Sequence, residues 1–418
     1  MTFSSSVPSG KWYFLETPRA RVAEMRILIT AYACDPAMGS ESGTGWRITS
    51  GVARHHEVHV ITRSHGRRAI EAALKEDPTI RLRAHYLRPF EISKLKLGWI
   101  AYYLWQLRAA LLARRLNRKF RFDLCHALNY ASWRVPPFLW LLRIPFIWGP
   151  FGGGQNTPSG FSATLGVTGC IEDGARGLSQ WASRFDPLIR LAMNRASRLI
   201  CINSDTQRLV PPRMRSKVLR MFDVGVEIPQ LSTRPDSDEI TILWVGRIIP
   251  WKGLPLLIEA MALLPQHVRA RAVVFGAGYD RGRCERLAKR VVPGKIIFHG
   301  EMPPERRLTM FEGADIFVFT SLHETSGTVV LEAMAAGLPV IMLDCGGNSE
   351  IADGRAIKVQ VSDPKRVPRD IASEISKLYG NRQRMIEIGA DARLFVSENH
   401  VWIKRIASVL STYDEFVV

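Results

Sequence analysis

The chain has 418 residues, 46% of them hydrophobic and 23% charged. That length favours two domains and buries sizeable cores, and the composition excludes a largely disordered chain. The formal net charge is +18, and residues 51–150 alone carry 18 Lys and Arg against 6 Asp and Glu, a field that attracts nucleic acid, anionic lipid or anionic substrates. The six cysteines, Cys34, Cys125, Cys170, Cys201, Cys284 and Cys345, are scattered without a CxxC pair. They fit a reducing compartment and argue against a structural zinc site.

Residues 1–24 contain no apolar core of signal-peptide length and read as a loose extension. Met25 stands directly before the first strand and is a second candidate start. Strands are expected at MRILIT (25–30), EVHVITR (57–63), IRLRAHYL (80–87), FDLCHAL (122–128) and ASRLICIN (196–203). Helical patterns lie between them, including a long aromatic one over 97–119. Strand alternating with helix is the mark of a doubly wound parallel sheet. The stretch GVEIPQLSTRPDSDE (225–239) is polar and aperiodic and reads as a linker. The alternation then restarts with strands at 240–247, 271–278, 295–300 and 315–321 and helices at 254–264, 280–291 and 304–314. The expected units are therefore 25–222 and 240–396, with 223–239 between them and an amphipathic helix over 397–418. Residues 136–151 carry four prolines and Arg143, and 97–107 is too short, so neither reads as a membrane span.

The candidate site lies in HETSGTVVLEAMAAGLPV (323–340). A buried strand leads into a turn, and a helix follows that stops at Gly337 and Pro339. Open α/β sheets bind ligands at the carboxyl ends of their strands. Ser326, Gly327 and Thr328 begin the helix, whose first N–H groups and positive dipole end suit a diphosphate. Glu332 lies about one turn further in and suits a ribose, while Glu324 before the turn suits the other hydroxyl-rich end of a nucleotide sugar. The plainer alternative makes Glu332 a dipole-stabilising acid and Glu324 an exposed loop residue. A second constellation, WVGRIIPWKG (244–253), places Arg247 at a strand end and Lys252 at a helix start. Such a pair neutralises a leaving diphosphate without a metal; two surface cations are the alternative.

The run GR-x4-KG (246–253), FGAG (275–278), HGEMP (299–303) and E-x7-E (324–332) resembles the retaining glycosyltransferases of the GT-B fold, family 4. AYACDPAMGSESGTGW (31–46), HALNYASWRVP (126–136) and IPFIWGPFGGGQNTP (144–158) resemble one bacterial branch of that family. The resemblance covers roughly residues 25–410. It implies an α/β architecture of two Rossmann-like doubly wound parallel-sheet domains facing a central cleft, with the C-terminal helix crossing back to the first. It implies catalytic roles for Arg247, Lys252, Glu324 and His126. Donor contacts are implied at Gly39, Gly45, Gly246, Arg247, Lys252, Gly276, Gly278, Glu324, Thr325, Ser326, Gly327, Thr328, Val329 and Glu332. Gly39 and the loop through Gly45 would close on the donor, and His126 would lie near the reacting centre. The branch often has Asp followed by Ser-Gly-Gly where this chain has Glu324 followed by Thr-Ser-Gly-Thr, a departure that bears on the donor sugar.

The resemblance implies a nucleoside diphosphate sugar as substrate, a glycan or lipid-linked acceptor, and no metal or other cofactor. Asp236-Ser237-Asp238 spells a DxD pattern but sits in the polar linker. A nicotinamide site is not expected, since GAGYDR (276–281) is only half a dinucleotide fingerprint. Trp99, Tyr102, Tyr103 and Trp105, followed by Arg108, Arg114, Arg115, Arg118 and Lys119, suit either an interfacial helix on anionic lipid or a helix packed on the first sheet. A cytoplasmic protein, peripheral on the inner membrane and with no nucleic-acid partner, is the corresponding expectation. Two competitors stand beside this reading: a nucleotide-sugar epimerase of the same fold, and a non-enzymatic basic membrane- or nucleic-acid-binding protein.

Overall fold

In the computed structural model, residues 24–88, 98–129, 132–230, 237–303 and 308–417 are described. The extension 1–23, Asp236 of the DxD pattern and residues 304–307 of one expected helix lie outside them. The first unit contains β1 (Arg26–Ala31), α1 (Ser40–Val52), β2 (Glu57–Arg63), α2 (Arg67–Glu76), β3 (Leu82–Leu87), α3 (Gly98–Phe120), β4 (Leu124–Asn129) and β5 (Phe146–Phe151). It continues with α4 (Gly166–Ser183), α5 (Pro187–Arg195), β6 (Arg198–Cys201), α6 (Ser204–Leu209) and β7 (Val218–Arg220). All seven strands are parallel, in the order β3-β2-β1-β4-β5-β6-β7. The near-continuous apolar strands explain this, because a parallel sheet is covered on both faces and has no polar side to show.

The second unit contains β8 (Ile240–Val245), α7 (Leu254–Ala262), β9 (Ala270–Phe275), α8 (Arg281–Val291), β10 (Ile296–Gly300), β11 (Ile316–Phe319), α9 (Thr328–Ala335), β12 (Val340–Leu343), α10 (Gly346–Ile351) and β13 (Ile357–Val359). Its six parallel strands run β10-β9-β8-β11-β12-β13. Three helices close the chain: α11 (Val367–Tyr379), α12 (Arg382–Asn399) and α13 (Trp402–Asp414). In both sheets the strand order reverses beside the first strand, between β1 and β4 and between β8 and β11. That reversal is where an open α/β sheet leaves a crevice for a ligand. Ile406, Val409, Leu410 and Tyr413 of α13 are buried in the first unit's core with Ile27, Ile29 and Val60.

Two elements differ from expectation. The helix expected over 304–314 is, among the described residues, one short 3-10 turn at Leu308–Phe311. Gly313 takes a left-handed φ of 72° and turns the chain directly into β11, which leaves no length for a helix. The segment before β6 also crosses the division expected at residue 222. Phe161 and Leu165 are buried in the second unit's core beside Ile240, Trp244 and Leu254. From there α4 runs back along the first unit, and a Cβ on its Gly169 would lie 2.7 Å from Pro250.

Candidate active site

The carboxyl ends of β8 and β11 build one wall of the cleft. Beyond β8 the chain turns through Gly246 and Arg247 to a 3-10 turn at Pro250–Lys252. Gly253 then caps α7 with a φ of 66°, and a Cβ there would meet the Thr320 carbonyl oxygen at 2.2 Å. Only glycine allows that contact. Thr320, just after β11, fastens the turn: its Oγ1 donates to the Lys252 carbonyl at 2.9 Å and accepts from Trp244 Nε1 at 3.0 Å. The Leu322 N–H donates to the Trp251 carbonyl at 2.8 Å.

This scaffold aims Lys252 at Glu324, and the ammonium and carboxylate form an ion pair with both side chains mostly buried. Arg247 stands apart. It is exposed, and among the described residues its guanidinium has no hydrogen-bond or ion-pair partner. The structure thus brings Lys252 to Glu324 rather than to Arg247, which is exposed after β8. Among the described residues, an anion binding here would meet one cation without an ion-pair partner and one that must exchange its partner.

Gly327 takes a left-handed φ of 64° and ψ of 48° as the cap of α9. Thr328 and Val329 start the helix half-buried, and Ser326 is buried beside them. Glu332 is the fifth residue of α9 and only 9% exposed, and Glu324, half-buried and paired with Lys252, is not the exposed loop residue of the plainer alternative. Gly276 and Gly278 have no room for a side chain. A Cβ on Gly276, where φ is 140°, would lie 1.8 Å from the Gly246 carbonyl oxygen, and one on Gly278 would lie 2.1 Å from that of Ile248. These glycines let the turn after β9 cross the turn after β8. Gly39 is exposed at the start of α1, but Gly45 is buried within that helix rather than in the loop before it.

His126 is a correction. It sits inside β4, opposite Ile29 of β1 and Ile147 of β5, with no exposed surface. Its Nδ1 lies 2.6 Å from Tyr413 Oη and its Nε2 2.5 Å from the Gly149 carbonyl oxygen. Burial pushes its pKa down to about 4. A neutral ring satisfied on both nitrogens inside a sheet ties α13 to the first unit and does not face a substrate. The aromatic run of α3 is corrected in part: Tyr102 and Trp105 are buried against Tyr32 at 4.8 and 5.1 Å, and only Trp99 of the four is largely exposed, at 64%.

Several residues at the site carry no motif. Gln155, after β5, donates from Nε2 to Thr325 Oγ1 at 2.7 Å. Asn203, after β6, caps α6 and donates from Nδ2 to the Thr325 carbonyl at 2.9 Å. A Cβ on Gly152 would lie 2.1 Å from Thr325 Cγ2. The Ser204 N–H reaches both Glu350 carboxylate oxygens at 3.0 and 3.1 Å, and Arg220 reaches the same carboxylate at 3.2 Å. The strand ends of the first unit therefore seat directly on the Thr325 turn of the second. His323 stacks on Trp251 at 5.4 Å, and burial beside Arg176 and Lys252 lowers its pKa to about 3. Asp223 lies in the connection between the units, where burial raises its pKa and Ser326 and Arg405 oppose the rise. The Asn348 side chain is fully buried under Gly327, and both its amide atoms lack a hydrogen-bond partner. Three-dimensional proximity to Thr325 and Gly327 marks most of these residues; the Gly-Gly-Gly-Gln run at 152–155 and the place of His323 at the head of the 323–340 stretch are the sequence signals among them. Among the described residues, no group of three or more His, Cys, Asp or Glu is placed to hold a metal ion.

The comparisons with known proteins decide what this cleft belongs to. Residues 39–217 match the glycosyl transferase 4-like domain family, and residues 230–394 match the glycosyl transferases group 1 family. Each half of the chain thus matches a glycosyltransferase domain family. The D-inositol 3-phosphate glycosyltransferase of Nocardia farcinica is 28% identical over 314 residues, covering 70% of this chain and 66% of that protein. An uncharacterised glycosyltransferase of Methanocaldococcus jannaschii is 31% identical over 180 residues, 42% of this chain and 45% of its own length. The chain thus spans between about half and two thirds of these relatives. Among solved structures, the Anabaena protein HepE in complex with UDP and glucose aligns with a TM-score of 0.64 at 18% identity, covering 94% of this chain and all of that one. Sucrose-phosphate synthase of Thermosynechococcus elongatus aligns with the same TM-score at 19% identity, over 94% and 99% of the two chains. At that identity the likeness shows the fold, and the two glycosyltransferase domains, each on its own parallel sheet, make this a GT-B protein.

Proposed function

We propose that the chain is a retaining glycosyltransferase that moves a sugar from a nucleoside diphosphate, UDP or GDP, to a glycan or lipid-linked acceptor. The observation that carries this reading is the Lys252–Glu324 pair at the strand ends that also start α9, with Arg247 exposed in the turn after β8 and without an ion-pair partner among the described residues. The relatives are named as glycosyltransferases, and HepE was solved with UDP and glucose. The donor diphosphate takes the place between Arg247, Lys252 and the first N–H groups of α9. Its charge draws Lys252 from Glu324, and the released carboxylate accepts hydrogen bonds from the sugar hydroxyls. Glu332 accepts from the ribose.

In the step itself the bond from the anomeric carbon to the diphosphate breaks. The acceptor oxygen bonds to that carbon on the same face, and its proton passes to the departing phosphate oxygen. The two cations and the helix N-terminus stabilise the charge that accumulates there. No side-chain nucleophile takes part, so the two glutamates do not act as a glycosidase pair. The seating of Gln155 and Asn203 on Thr325 excludes water from the reacting centre. The setting proposed is the cytoplasmic side of a bacterial inner membrane, in assembly of a surface polysaccharide or lipopolysaccharide.

The test is a nucleotide-sugar consumption assay against glycan and lipid-linked acceptors, with the product anomer read by NMR. Retention of the donor's anomeric configuration is the expected result. Inversion removes the front-face mechanism. Release of an epimerised nucleotide sugar without any acceptor replaces the transferase reading by the epimerase.

A further inference from the structure

Helix α4 has an apolar face that none of the described residues covers. Val167, Ile171, Leu178, Trp181 and Phe185 are 80%, 67%, 66%, 58% and 59% exposed. Val167, Ile171, Leu178 and Trp181, spaced four, seven and three residues apart, fall on one side of the helix, and Phe185 follows two residues past its end. Gly174 and Gly177 lie among them, and a Cβ at either would meet nothing within 4 Å. The 18 residues of the helix extend this stripe over about 27 Å.

The opposite side of the helix is fully engaged at the cleft. Gly169 packs on Pro250, Gln180 Nε2 donates to the Gly153 carbonyl at 2.7 Å, and Arg176 donates to the Gln155 carbonyl. Both acids of α4 also have partners: Glu172 accepts from the Tyr279 hydroxyl, and Asp173 accepts from Thr157 Oγ1 at 2.7 Å. The helix is therefore held by both units while its apolar side faces outward.

The charge at one end of the stripe indicates what covers it. Trp181 and Phe185 meet edge to face at 5.2 Å, and the Arg190 guanidinium lies 5.8 Å from the Phe185 ring. Arg190 is exposed, as are Arg184, next to Phe185 in the chain, and Arg195 at the end of α5. Aromatic rings beside arginines on an apolar helix face, in a chain of net charge +18, complement an anionic lipid surface. A second protein surface fits less well. Five such side chains expose on the order of 600 Å2, short of the roughly 800 Å2 per partner of a stable protein interface.

We propose that the outward face of α4 docks in the headgroup region of an anionic membrane and holds the cleft at the lipid surface. This stands independently of the donor reading, because it involves none of the residues placed at the diphosphate. The experiment is sedimentation of the full chain with vesicles of phosphatidylcholine alone and with one third phosphatidylglycerol. The double variant W181E/F185E runs beside it, and each protein's oligomeric state is read by light scattering. Both positions are exposed, and nucleoside diphosphate binding by the variant, or a thermal unfolding temperature matching wild type, shows that it folds. The expected result is binding that strengthens at least tenfold with phosphatidylglycerol and falls at least tenfold in the variant. Failure of the wild type to bind anionic vesicles, or equal binding by the variant, overturns the proposal. A dimer that the variant dissolves, without vesicle binding, assigns the face to a second copy instead.

Discussion

Gln155 and Thr325 join the two units across the cleft, the Gln155 amide donating to the Thr325 hydroxyl at 2.7 Å. The contact joins the turn after β5 to the turn that starts α9, so the diphosphate site is completed only when the units meet. Gln155→Ala removes one hydrogen bond worth about 1 kcal/mol to the closed state. The expected outcome is a rise in donor KM of about fivefold, with a thermal midpoint within about 2 °C of wild type. Steady-state kinetics beside a melting curve check it.

Lys252 and Glu324 make opposite predictions for stability and for rate. Both side chains of the pair are mostly buried but keep some exposure, 14% and 22%, so Lys252→Ala costs at least about 1 kcal/mol of stability. The same change removes a cation from the leaving group and lowers kcat by about 100- to 1000-fold. Glu324→Gln keeps the shape but loses the carboxylate, and the proposed hydroxyl contacts weaken with it. Diphosphate affinity, measured by calorimetry, falls in the lysine variant and holds in the glutamine variant.

His126 predicts a structural effect. His126→Ala leaves the Tyr413 hydroxyl and the Gly149 carbonyl buried without partners and opens a cavity between the sheet and α13. The loss is about 3 kcal/mol or more. Tyr413→Phe removes one of the two bonds and costs about 1 kcal/mol. In both, the fraction that stays folded binds nucleoside diphosphate as wild type does. A loss of nucleotide affinity without a loss of stability would return His126 to the reacting centre.

Acid sensitivity follows from the same burial. His126 and His323 have folded pKa values near 4 and 3, below the unfolded 6.5, so the unfolded chain binds protons first. Their contribution is complete above pH 6.5 and is lost as pH falls towards the folded values. Each takes up to about 1.4 kcal/mol per pH unit in that window. Denaturant midpoints should drop steadily from pH 6.5 to 4.5, and His323→Gln should flatten the slope.

The strands and the helix that starts at Thr328 were legible because their signals are local. The apolar runs of β1, β2 and β8, the Gly337-Pro339 stop, and the E-x7-E spacing each depend on a few neighbouring residues. Helix α4 was not legible, since Gly169, Gly174 and Gly177 lower its intrinsic propensity and its apolar stripe does not face a core. Gln155 and the Nδ2 of Asn203 reach Thr325 only when the two units meet. His126 misled for a related reason. Its position near a strand end resembles a site residue, but the partner that buries it, Tyr413, lies 287 residues away in sequence. The glycines of FGAG have a structural reason that the sequence does not show, because a side chain on either would meet the backbone of the turn after β8.

The central claim is a diphosphate site built on Arg247, Lys252 and the start of α9. The most direct measurement is calorimetric titration of UDP, GDP and ADP, without added metal, into the wild type and Arg247→Ala. The account predicts that one of the three binds the wild type and that the variant loses at least tenfold in affinity while melting at the same temperature. No binding of any nucleoside diphosphate to folded wild type, or equal binding to the variant, would contradict it.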